Sequence, residues 1–411
     1  MRTDHAPQAR KNGQERTAKK KCIEQIEKGE TPMSRTIVDT ILPTTMVGSY
    51  PRPHWFTYQL HGRDIWDAFK DVNHAEAFED AVRTVLRDQE QAGLDILTDG
   101  QMWFDDYGGC IGSFVWYWYE RIHGFVPVKH SHPLVEGGNV SQNDAAWLTD
   151  WGATSVTDTV KRGPLRLVDL YHIAQRNTHK PVRCSVGAGP INLTYHVHLE
   201  HYKTQKDLAY ALVPIFNAEM KEMVAGGATF LQLEDLGAWL PVLSGNTADF
   251  DWVVDVINKT VDGVDAKLSW HFCFGAAWGN ASRGLFPSDA GYGSLLPHLH
   301  DTQIEQYVLD FAVREMEDAH ILKDLPQDKE VAVGVIDVRN LQIETPEQVA
   351  QRIRKVLKFI QPERLTLTTD CGLRALPRFC AYNKLRAMVE GARIVRAEIA
   401  GGPGGKKRQP V

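Results

Sequence analysis

The stretch Leu268-Ser269-Trp270-His271-Phe272-Cys273-Phe274-Gly275 has the alternation of a buried strand. Side-chain direction in a strand repeats every two residues, so Leu268, Trp270, Phe272 and Phe274 face one way and Ser269, His271 and Cys273 the other. Gly275 breaks the run, and His271 and Cys273 therefore project together from the strand's C-terminal end. An imidazole nitrogen and a thiolate are both favoured ligands of Zn²⁺. A lone His-x-Cys pair is more often core packing than a ligand pair. What decides between the two is whether further ligands reach the same end of the same sheet.

Two other runs supply candidates. Arg364-Leu365-Thr366-Leu367-Thr368-Thr369-Asp370-Cys371-Gly372 alternates threonine with leucine and leaves Cys371 just past a strand's C-terminal end. Gln306-Tyr307-Val308-Leu309-Asp310 is a shorter apolar run closed by an acid. As parallel strands of one barrel, the three runs bring His271, Cys273, Asp310 and Cys371 to the face where barrel active sites sit.

The rest of the chain fits that frame. Strands are expected at Thr44 to Tyr50, Asp95 to Asp99, Pro181 to Gly187, Thr229 to Glu234, Leu268 to Cys273, Gln306 to Asp310, Val331 to Asp337 and Arg364 to Thr369. Helices are expected over about Ala75 to Ala92, Leu208 to Ala225, Pro346 to Ile360 and Ala381 to Ala397. Eight strands separated mostly by helices make an α/β chain of the (β/α)₈ type, a TIM barrel with insertions after strands 2 and 5. The first insertion runs from Phe114 to about Lys161 and opens on aromatics that would cover the barrel mouth, form a homo-oligomer interface or pack in the core. The second, Ala276 to His300, is rich in Gly and Pro and has the composition of a mobile lid.

Composition sets the outer bounds. With 411 residues, 43% hydrophobic and 24% charged, the chain is ordinary for a globular protein. A net charge of −6 and a pI near 6.2 argue against nucleic acid or an anionic membrane as main partner. No apolar run approaches the roughly 20 residues of a spanning helix, and the N-terminus lacks the apolar core of a secretory signal. The six cysteines are too sparse for a disulfide scaffold, so a reducing, cytoplasmic setting is expected. Residues 1–40, with Lys19-Lys20-Lys21, read as a flexible basic arm in which Met33 is a candidate natural start. Residues 41–400 read as the barrel and 401–411 as a flexible tail.

Seven of the eight expected strands end in polar residues, as a barrel enzyme requires, and the tips carry Gly48, Ser49, Arg52, Gln101, Glu234, Asp235 and Arg339 beside the metal candidates. In detail the stretches Leu42 to Pro51, Gly189 to Asn192, Leu231 to Asp235, His271 to Cys273, Gly334 to Asp337 and Asp370 to Leu373 resemble the C-terminal catalytic barrel of cobalamin-independent methionine synthase and its stand-alone single-barrel relatives. The resemblance covers about Ile41 to Ala397. It implies that His271, Cys273 and Cys371 bind zinc, with the family's glutamate ligand falling on Asp310 and Glu305 as the nearby substitute. It also implies that Ser49, Gln101 and Glu234 orient a thiol substrate.

The chemistry of such a site follows from its donors. Two thiolates and a carboxylate more than cancel the charge of Zn²⁺, leaving a weak Lewis acid that is poor at activating water. A substrate thiol, only a few per cent ionised at pH 7 when free, is held deprotonated on a metal. Alkylation of sulfur is therefore expected rather than hydrolysis, and the small-molecule thiol favoured is homocysteine.

Two departures bear on the partners. An acid that the resemblance implies for the amino group of homocysteine is Gln101, and a histidine implied to pass a proton to the departing folate is Arg339. The second speaks against a folate donor and for a leaving group that needs no proton, such as cob(I)alamin on a corrinoid protein. Together with Arg52 it opens an alternative, alkylation of coenzyme M by epoxides. A metal-free uroporphyrinogen-decarboxylase-like enzyme is a further alternative on the same superfamily's barrel.

Overall fold

Parallel strands in register, not local helices, set the position of every residue discussed below. The computed structural model describes residues 35–56, 65–103, 113–130, 153–195, 197–235, 250–273 and 292–401. Its strands are β1 (His123–His130), β2 (Ala153–Lys161), β3 (Cys184–Ala188), β4 (Val197–Leu199), β5 (Phe230–Glu234), β6 (Lys267–Phe272), β7 (Gln306–Leu309), β8 (Glu330–Ile336) and β9 (Leu365–Thr369). Six of them form one parallel sheet in the order β3-β5-β6-β7-β8-β9.

Two short segments close that sheet into a barrel. Thr45 N–H donates to Leu367 O at 2.9 Å and Leu367 N–H to Pro43 O at 2.8 Å, which places the first expected strand beside β9. Asp95 and Ile96 N–H donate to Thr44 O, while Leu97 N–H reaches Pro181 O and Arg183 N–H reaches Leu97 O. Eight staves thus follow one another around the barrel at the expected places. The first two make only single parallel bridges, Thr44 with Leu367 and Leu97 with Val182. At the first of these the Asp95 carboxylate takes both the N–H and the hydroxyl of Thr44 at 2.8 Å, so that this N–H is not offered to a neighbouring strand.

The helices stop and start where their caps dictate. Helix α1 (Val72–Ala92) begins at Asp71, whose side chain accepts from Asn73 N–H, and ends at Gly93 in the left-handed region (φ 93°). Its buried Phe78, Ala81, Val82, Val85 and Leu86 form the expected stripe. Among the described residues, the other α-helices longer than one turn are α2 (Ser113–Tyr119), α3 (Leu167–Gln175), α4 (Pro190–Tyr195), α5 (Gln205–Ala225), α6 (Phe250–Val261), α7 (Pro346–Val356) and α8 (Arg378–Gly401). Reciprocal capping boxes at Thr204/Asp207 and Thr345/Gln348 open α5 and α7.

The start of the first insertion is packed into the protein. Val115, Tyr117, Trp118 and Tyr119 of α2 are buried, and Trp118 stacks on Phe216 with ring centroids 3.9 Å apart. Beyond it, β1 and β2 pair antiparallel and β2 pairs with β4, a three-stranded side sheet that the sequence reading did not anticipate. Residues 276–291 of the expected lid lie outside the described residues, as do 1–34 of the expected arm and 402–411 of the expected tail.

The N-terminal end of the barrel is closed by ion pairs and backbone contacts. Arg35, inside the stretch assigned to the arm, donates its N–H to Glu305 at 2.9 Å and pairs with Asp265 at 2.8 Å. Lys267 Nζ donates to Glu330 at 2.6 Å and to Arg35 O at 2.9 Å. A cavity of about 350 Å³ lies there, between residues 36–41 and the starts of β5 to β9. Among the described residues, no helix is long and apolar enough to cross a membrane.

Candidate metal and thiol site

Strand β6 delivers its two donors as the alternation requires. Leu268, Trp270 and Phe272 belong to the apolar core, while His271 and Cys273 sit, buried, at the C-terminal end. Cys371 follows β9. Its position is fixed by the preceding residue: the Asp370 carboxylate accepts N–H bonds from Phe311 (3.0 Å), Ala312 (2.9 Å) and Val313 (2.5 Å). Gly334 makes room for this, since a Cβ there would lie 2.1 Å from Asp370 Oδ1.

Among the described residues, the donor atoms of His271, Cys273 and Cys371 lie within 4.8 Å of one another. The two sulfurs are 3.5 Å apart. Zn–S bonds of about 2.3 Å at a tetrahedral angle separate two sulfurs by about 3.8 Å, so the pair fits a shared zinc ion without rearrangement. Asp310 lies outside this set of three. Its Oδ1 is 3.4 Å from His271 Nε2, and its N–H donates to the Tyr292 hydroxyl, which donates in turn to Phe272 O.

A buried hydrogen-bonded chain backs the candidate metal ligands. His271 Nδ1 lies 2.7 Å from Glu234 Oε2. Glu234 Oε1 accepts from Gln232 Nε2 at 2.7 Å and from the Ser185 hydroxyl at 3.4 Å. Ser185 in turn accepts from Gln101 Nε2 at 2.7 Å. Ser185 and Gln232 were not singled out by sequence. Gln232 carried a signal, being two residues from Glu234 and hence on its face.

The family model for the cobalamin-independent synthase catalytic domain matches residues 42–394. The chain belongs to that family. Curated relatives include the methionine synthase of Sulfolobus acidocaldarius, 33% identical over 88% of this chain and 94% of its own length. That of Saccharolobus islandicus is 34% identical over 87% and 96%. Among solved structures, a B12-independent methionine synthase from Shewanella sp. W3-18-1, in complex with selenomethionine, superposes with a TM-score of 0.73 at 25% identity, covering 88% of this chain and 99% of that one.

The remaining tip residues of this cobalamin-independent synthase domain divide into two groups. Gly48, Ser49, Arg52 and Gln101 gather at the ends of the first two staves. A Cβ at Gly48 would meet the Gln101 amide at 2.4 Å, Ser49 Oγ lies against Gly372, and Arg52 Nη2 is 3.4 Å from Gln101 O. Gln101 itself is in the left-handed region (φ 51°), held by its N–H bond to Asp99. Asp235 and Arg339 are instead committed elsewhere. Asp235 accepts the N–H groups of Ile191 and Asn192 at the start of α4. Arg339 donates to Asp337 and, at 2.7 Å, to Val313 O.

The electrostatics of the centre are those of a cation site. Burial alone would lower the His271 pKa, but the flanking carboxylates of Glu234 and Asp310 outweigh it and hold the imidazole well above its ordinary value. The Cys273 thiol is pushed up by its bond to Cys371, by burial and by Asp310. Without a cation these groups keep their protons; a metal ion would release them.

Proposed function

We propose that this chain is a zinc-dependent methyltransferase that methylates the thiol of homocysteine to give methionine. The observation that carries the reading is the convergence of His271, Cys273 and Cys371 in a barrel whose curated relatives are methionine synthases. Zinc held there would lower the pKa of an incoming thiol and leave its sulfur nucleophilic toward an alkyl carbon. The new S–C bond forms as the donor–methyl bond breaks, and the thiol proton leaves to solvent. Asp310 is the candidate fourth protein donor; beside a ligand already, it is placed to complete the set or to hold His271.

Gly48, Ser49, Arg52 and Gln101 form the wall we assign to the thiol substrate, since they share the C-terminal end of the barrel with the metal ligands. The donor inferred is one whose leaving group needs no proton, such as cob(I)alamin on a corrinoid protein. Arg339 supports this, standing where the resemblance implies a proton-passing histidine and donating to Asp337 instead. The same pairing takes Arg339 out of an anion site, which favours homocysteine over coenzyme M. Family membership and the thiol-rich donor set leave the metal-free decarboxylase reading without support.

The test is to incubate zinc-loaded protein with homocysteine and with coenzyme M, following proton release and the zinc absorption edge. Methyl transfer is then measured from methylcobalamin and from methyltetrahydrofolate. Proton release with homocysteine and methionine formed from methylcobalamin are expected. A response to coenzyme M alone would overturn the assignment of the acceptor.

A further inference from the structure

Resting on the assignment of Gln101 to the thiol wall, we propose that Asp99 is a positioning residue of that wall, holding Gln101 in place without touching the substrate. The second stave makes a single parallel bridge, Leu97 with Val182, so ladder bonds do not shape its tip. Side-chain bonds do. Gly100 and Gln101 follow one another in the left-handed region, with φ of 67° and 51°. Glycine takes that conformation freely, whereas a residue with a Cβ stays there only when its surroundings hold it.

Asp99 supplies the hold. Its Oδ1 accepts the Gln101 N–H at 2.9 Å, and the Trp103 indole N–H donates to the same carboxylate. The turn is pinned further by the Gly100 N–H on the Thr98 hydroxyl oxygen (3.2 Å), the Thr98 hydroxyl on Gly48 O (3.0 Å) and the Tyr50 N–H on Gly100 O (3.0 Å). Asp99 shares a small cavity with Leu167, Leu170 and Ala174 of α3 and Met223 of α5, so it faces the helix layer and not the barrel mouth. Burial lifts its pKa from 3.8 to about 6 while the N–H donors pull it down. A carboxylate kept in the interior at that cost is there for what it accepts. The result is one direction for Gln101. Its Nε2 donates to the Ser185 hydroxyl oxygen at 2.7 Å, and its amide fills the space that a Cβ on Gly48 would enter at 2.4 Å.

Two substitutions grade the same defect. Asp99→Ala removes both bonds, leaving Gln101 free to relax out of the left-handed region and swing its amide off Ser185. Asp99→Ser offers one oxygen, which can accept the Gln101 N–H in the same turn but leaves the Trp103 indole unmatched. The serine variant therefore keeps one bond of two.

The experiment compares wild type, Asp99→Ala, Asp99→Ser, Gln101→Ala and the double variant Asp99→Ala/Gln101→Ala. It measures homocysteine affinity and steady-state kinetics of the zinc-loaded protein, zinc affinity by chelator competition, and backbone hydrogen exchange over residues 98–103 without substrate. In Asp99→Ala, exchange at 98–103 should quicken and KM for homocysteine rise about tenfold, the factor carried by one misdirected hydrogen bond. Its kcat and zinc affinity should stay as in wild type. Asp99→Ser should recover part of the loss, and it carries the test if the alanine variant does not fold. Because Asp99 acts through Gln101, the double variant should bind homocysteine no more weakly than Gln101→Ala alone. A full further loss in the double variant, or weakened zinc binding in Asp99→Ala, would overturn the proposal. Gln101→Ala with wild-type homocysteine affinity would sink the thiol-wall reading, while faster exchange in Asp99→Ala would still support Asp99 as the residue that holds Gln101.

Discussion

The two ends of the barrel handle charge in opposite ways. At the N-terminal end, Lys267 meets Glu330, Arg35 meets Asp265, and the Arg364 guanidinium and Lys329 ammonium donate to backbone carbonyls. At the C-terminal end, Glu234, Asp310, Cys273 and Cys371 crowd one imidazole. The first end is balanced by its own residues. The second would be balanced by a bound cation, and on the function proposed above that is what separates a closed floor from a working site on one scaffold.

The comparison can be broken most directly by Cys371→Ser. Zinc stoichiometry should fall to background, and so should methyl transfer. Zinc bound as proposed, at a hundredfold excess over its Kd, would stabilise the wild type by about 2.7 kcal/mol; that gain should vanish in the variant, as thermal unfolding with and without chelator would show. Lys267→Met is the counterpart at the other end. Leaving Glu330 unpaired should cost about 3 kcal/mol in denaturant unfolding, with zinc affinity unchanged. A loss of zinc affinity there would mean that the two ends are coupled.

Gly334→Ala should act on both quantities at once. Its Cβ would enter the space of the Asp370 carboxylate, so about 1–3 kcal/mol of stability should be lost together with zinc affinity, because Cys371 moves with Asp370. The last prediction is a pH dependence. Burial lifts Asp235 from its ordinary 3.8 to about 7. The folded chain then holds a proton that the unfolded chain has released, so this group makes stability fall as pH rises from about 4 to about 7, and flat above. Asp235→Asn should remove that slope, measurable as unfolding midpoint against pH.

Much of this is legible in the sequence. The period-2 alternation of Leu268 to Cys273 placed two donors on one face, and Asp-Cys-Gly marked the end of β9. What could not be read was register. That Glu234 meets His271 depends on β5 and β6 lying side by side with Leu233 opposite Trp270, and nothing local to either strand encodes the offset. The side sheet was missed for another reason. Thr154 to Val160 does not alternate, with Asp158 on the same face as Val156 and Val160; β1 carries Gly124 and Pro127, and β4 is only three residues long. Helices α3 and α6 were passed over between stronger signals. Asp235 and Arg339 show the remaining limit, since a polar strand tip can as well cap a helix or neutralise a neighbour as face a substrate.

The uneven joinery of the barrel has one more consequence. Gly48, Ser49 and Gln101 ride on or just beyond the two staves fastened by single bridges, whereas His271 and Cys273 extend from a strand laddered on both sides. On the function proposed above, the wall offered to the guest would have fewer ladder bonds than the strand offered to the ion. Adaptation and anchorage are assigned to separate arcs of the same ring.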